Sequence, residues 1–126
     1  MKITDEQTSV EALEGFGAEA TRLLCAGDFS ALAEHYGYAL AYDQDQASAI
    51  RADISSSLAE LRASSVGLPP STQPTVSYFN PNGSGLVALI EHLIPTDNER
   101  HILLELLVSS DSSYKYVVLE QVSAAA

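Results

Sequence analysis

The chain has 126 residues, of which 17 are acidic and 6 are Lys or Arg, so its formal charge is −11. That length suits one ordinary domain, and the 46 % apolar fraction argues against disorder. So few cations exclude nucleic acid and anionic membrane surfaces as direct partners, because both require clustered Lys and Arg.

The opening Met-Lys-Ile-Thr-Asp-Glu-Gln lacks the apolar run of a signal peptide. No apolar stretch approaches the roughly 20 residues of a membrane span. The lone Cys25 has no internal disulfide partner, and its apolar neighbours predict a buried, inert thiol. These features read as a cytoplasmic protein.

The first half is helical, over residues 8–66. Thr8 and Glu11 have capping-box spacing. Val10, Leu13, Phe16, Ala20, Leu23 and Leu24 then recur at three- and four-residue intervals, which predicts one apolar helix face. Gly27 is the expected stop and Asp28 the cap of a second helix, with Phe29, Leu32, Ala33, Tyr36 and Leu40 on its buried side. Gly37 weakens that helix and marks a bend or close contact. Asp43, Gln44 and Asp45 form a polar joint. Ala47, Ile50, Ile54, Leu58 and Leu61 define a third helix that ends near residues 64–67.

Residues 67–74 hold three of the five prolines and read as a linker. The period then changes to two. Strands are expected over 75–80, 86–94, 100–109 and 114–122, with turns at 81–85, 96–99 and 110–113. Connections this short require antiparallel neighbours. The expectation is a single α+β domain over 1–123, with about three N-terminal helices packed on a four-stranded antiparallel meander at 75–122. Residues 124–126 read as a cloning scar outside it.

Both faces of this sheet are rich in apolar residues. Ile102, Leu104, Leu106 and Val108 make one side of the third strand, and His101, Leu103, Glu105 and Leu107 the other. Helices can cover one side. The other must face further helix, a ligand cavity, a second subunit or a partner.

The order of helix, Gly27-Asp28-Phe29-Ser30-Ala31-Leu32-Ala33-Glu34-His35-Tyr36, further helix and meander resembles the cystatin-like superfamily. Its nuclear-transport-factor-2-like and ketosteroid-isomerase-like branch is the nearest comparison. That resemblance implies a curved sheet around a pocket. The branch usually has more strands, including one between helices, and none is visible here before Thr75. A catalytic carboxylate and its tyrosine or acid donors are not placed by motif either. In kind rather than in residues, the chain also resembles small acidic immunity proteins that neutralise bacterial toxins.

Three sets of residues are candidates. If the second hairpin closes over 96–99, His92 and His101 share a face with Glu105, and Glu120 joins them from the last strand. This set would line a pocket. Tyr38 and Tyr42, four apart on the second helix, would share a partner-facing side. Asp43 and Asp45, and Asp97 and Glu99, make two acidic joints. Residues 1–63 carry 11 acids against 4 bases, which favours a basic protein partner.

No zinc, calcium, phosphate-loop or serine-nucleophile spacing is present, so no catalytic residue, cofactor or metal is expected. The leading expectation is a non-enzymatic acidic inhibitor of the immunity type, acting on a basic toxin. A ketosteroid-isomerase-like enzyme or ligand carrier, and a homodimer joined through the open sheet face, stay open as alternatives.

Overall fold

The structure, a computed structural model, describes residues 1–69, 73–111 and 114–125. A short strand β1 (Lys2–Ile3) and a 3-10 turn (Asp5–Thr8) lead into α1 (Val10–Cys25). There follow α2 (Phe29–Tyr36), a second 3-10 turn (Ala39–Ala41) and α3 (Gln46–Leu61). Then come β2 (Thr75–Tyr78), β3 (Leu86–Pro95), β4 (His101–Asp111) and β5 (Tyr114–Ala124). All strand pairs are antiparallel, in the order β1-β5-β4-β3-β2. This is the expected α+β arrangement with one strand more. Two residues carry no alternation, so β1 is invisible as a pattern. It is held by pairing with Tyr116 and Lys115, and by the amino terminus donating to the Val117 carbonyl at 2.7 Å.

The helix ends obey local chemistry, with shifts from expectation. Thr8 and Glu11 form no capping box. The 3-10 turn keeps Thr8, whose hydroxyl donates to the Asp5 carbonyl, and Ser9 caps α1 by accepting the Ala12 N–H. Asp28 caps α2 through the Ala31 N–H, as expected. That helix stops at Tyr36, because Gly37 turns the backbone to φ 70°. Leu40 therefore lies outside it, 37 % exposed. Asp45 caps α3 through the Ser48 N–H and hydroxyl, and α3 ends at Leu61 rather than beyond residue 63.

The helices cover one face of the sheet. Leu13, Ala20, Leu32, Ile50 and Ile54 pack into a core with Ala88, Ile90 and Ile94 of β3 and Ile102, Leu104, Leu106 and Val108 of β4. Val117, Leu119 and Val122 complete it from β5. α1 contacts β3, while α3 and the Ala39–Ala41 turn contact β5. The fit under α1 is close. A Cβ at Gly17 would stand 2.7 Å from Pro74 Cγ and 2.9 Å from Ile90 Cγ2. At Gly85, φ is 75° and a Cβ would meet the Ser110 carbonyl at 2.5 Å, so the turn entering β3 also requires glycine.

Ala124 is the last residue of β5, opposite Ile102, so the sheet runs two residues past the expected strand end at 122. Residue 126 lies outside the described residues, as do positions 70–72 of the expected linker and 112–113 of the last turn.

Gly17→Ala should destabilise the protein by about 1–3 kcal/mol through overpacking. Gly15→Ala, with nothing within 4 Å of its Cβ, should stabilise by about 0.5–1 kcal/mol. Urea unfolding of both variants checks the pair.

Candidate functional site

The β3–β4 register decides which side chains meet. Pro95 pairs with His101, Leu93 with Leu103, Glu91 with Glu105 and Leu89 with Leu107. These residues lie on the side of the sheet away from the helices. His92 pairs with Leu104 and faces the helices, 5 % exposed, with Nδ1 2.7 Å from the Thr21 hydroxyl oxygen. The expected set of His92, His101, Glu105 and Glu120 is therefore not assembled. The loop holds five residues, not four. Arg100 belongs to it, its N–H bonded to the Thr96 hydroxyl and its carbonyl to the Thr96 N–H. One residue of slip sends His92 to the opposite face. The signal was in the alternation, since His92 keeps step with Ile90 and Ile94.

Glu105 and Glu120 do come together, and Glu91 joins them. A register shift in β5 sets Gln121 opposite Glu105 and Leu119 opposite Leu106, which leaves Glu120 as the extra residue of a bulge. Burial pushes the Glu105 carboxyl above the usual range, and the charges of Glu91 and Glu120 push it further. None of the three forms an ion pair among the described residues. Leu93 and Leu103 make an apolar row on one side of them, and Leu89, Leu107 and Val118 a row on the other. Leu93 is 50 % exposed, and the other four are half-buried. At the β2 edge an open depression of about 380 Å³ is lined by Gln73, Thr75, Glu91, His92, Leu93 and Leu103.

The expected contact residues separate. Tyr38 and Tyr42 do not share a helix face, because α2 ends before either. Tyr38 is 3 % exposed, and its hydroxyl donates to Asp53 of α3. Burial and the Asp53 carboxylate raise its pKa, while the Val122 backbone acts the other way. Tyr38 thus ties α3 to the edge of β5. Tyr42 is 83 % exposed, at the strained backbone angles φ 54°, ψ −118°. Asp43 beside it is also exposed.

Asp45 is a helix cap. Asp97 accepts the Ser64 and Ser65 N–H groups at 2.8 and 3.3 Å, which hold its carboxyl below the usual range. Asn98 donates to the Leu61 and Arg62 carbonyls at 2.9 and 3.1 Å. The 96–100 loop therefore closes the end of α3, and of the expected acidic pair only Glu99 is without such a tie among the described residues. A further cluster, missed in sequence, joins α1 to α2. Glu19 accepts from the Tyr36 hydroxyl at 2.9 Å and lies 3.0 Å from His35 Nδ1.

Among the described residues no group of His, Cys, Asp or Glu is arranged to hold a metal ion, and no helix is long and apolar enough to cross a membrane. Comparison with protein-family models, curated proteins and solved structures gives no match.

The carboxylates should act in two opposite ways on stability. Glu19, Asp45 and Asp97 have depressed pKa values. They contribute stability above about pH 4 that is lost as pH falls through their folded values. Glu105 is raised, so its contribution is present below the unfolded value and lost as pH rises through the folded one. Glu105→Gln should therefore be more stable than the parent at pH 7, with the difference vanishing below about pH 4. Urea midpoints measured at both pH values test the sign. Asp97→Ala should lower the midpoint at pH 7 and flatten the acid limb.

Proposed function

We propose that the protein is a non-enzymatic binding protein that blocks a basic partner, in the manner of an immunity-type toxin inhibitor. The observation that carries this reading is the half-apolar, uncovered outer face of the sheet. Five aliphatic side chains stand there with no described element over them. Leaving such a surface in water forgoes burial worth about 25 cal/mol per Å². A face of this kind marks an interaction surface. The net charge of −11 favours encounter with a cationic partner and speeds association with it.

The test is co-expression with the products of adjacent genes. A basic toxin encoded there should be neutralised and should co-purify with the protein in a stoichiometric complex. Leu103→Glu should break that complex while the variant stays folded, because the site is already half solvated. Growth arrest that persists on co-expression with each neighbouring product would overturn the reading.

A further inference from the structure

We propose that the outer sheet face docks an extended basic segment of another protein, with an arginine over Glu91, Glu105 and Glu120 and an apolar residue on each flanking leucine row. This rests on the binding-protein reading above and adds the chemistry of the segment that is bound. The apolar rows come first in the argument. Along β3 the outward side chains run Leu89, Glu91, Leu93, and along β4 they run Leu107, Glu105, Leu103. Alternate residues of a strand stand about 7 Å apart, so both strands repeat apolar, acidic, apolar at that spacing. An extended partner with the pattern apolar-x-Arg-x-apolar presents its own side chains at the same interval. It would lie face to face on the sheet at about 10 Å.

Charge selects this occupant over the others. A second copy of the chain would set one glutamate row against another, between two molecules each of charge −11. A divalent cation needs oxygens converging at about 2.3–2.6 Å. Among the described residues no group of His, Cys, Asp or Glu is arranged in that way. A guanidinium suits a row of carboxylates between aliphatic side chains. Its five N–H donors spread in a planar fork that reaches two carboxylates at once. Its flat faces also tolerate the leucines on either side. The raised Glu105 is the group such a cation would relieve, because burial and two like charges already oppose its ionisation.

The probe is the synthetic peptide acetyl-Leu-Thr-Arg-Thr-Leu-amide, titrated into the isotope-labelled full chain and followed by amide chemical shifts. Saturable shifts are expected at Leu89, Glu91, Leu103 and Glu105. Replacing arginine by uncharged citrulline should weaken binding at least five-fold. The double variant Glu91→Gln, Glu105→Gln should do the same. Glu60→Gln, an exposed acid on α3, should leave binding unchanged. Shifts that map to the helical layer, equal binding of the citrulline peptide, or a dimer burying this face at working concentration would each overturn the inference. The two proposals fail separately. Peptide recognition without toxin neutralisation removes only the inhibitor reading. Neutralisation at full strength by the Glu91→Gln, Glu105→Gln variant removes only the arginine site.

Discussion

The parity of the β3–β4 hairpin governs the molecule. Because Pro95 meets His101 across a five-residue turn, the even-numbered residues of both strands face the helices and the odd-numbered ones face out. That one register places Ile90, Ile94, Ile102, Leu104 and Leu106 in the core. It buries His92 with Thr21 and lines up Glu91 with Glu105. A slip by one residue would exchange an aliphatic core for a face carrying glutamates, so the apolar face specifies the pairing strongly.

The helical layer is fastened to this sheet by polar contacts at its borders. Tyr38 links Asp53 of α3 to the β5 edge. Asp97 and Asn98 close the C-terminal end of α3 from the hairpin loop. Between them, Gly17 lets α1 sit against Pro74 and Ile90 where any larger residue would clash. Of the residues that look in sequence like surface acids and tyrosines available to a partner, Tyr38, Asp45 and Asp97 hold elements of the fold in place, while Tyr42, Asp43 and Glu99 stay exposed.

That outer face combines two unfavourable features in the free protein. It exposes aliphatic surface, and it crowds three carboxylates without an ion pair among the described residues. Either is common alone. Together, on a regular sheet with matching repeats on two strands, they set a row of carboxylates between two aliphatic rows.

Much of the architecture was legible from residue order. Apolar residues at helical spacing, Asp28 and Asp45 as caps, and the change to period two after the proline-rich segment are local, and local sterics and hydrogen bonding decide them. The two-sided greasiness of the sheet was legible as well, since alternation needs no partner to be read. What tertiary structure alone decided was pairing. The two-residue β1 exists only because β5 accepts it. The β5 bulge brings Glu120 to Glu105, and the length of one turn sends His92 inward rather than out. Register is a relation between distant segments, set by which faces can be buried together, and no single segment contains it. The charge and apolar content of the chain therefore determined the kind of surface this protein carries, and strand register determined where that surface lies.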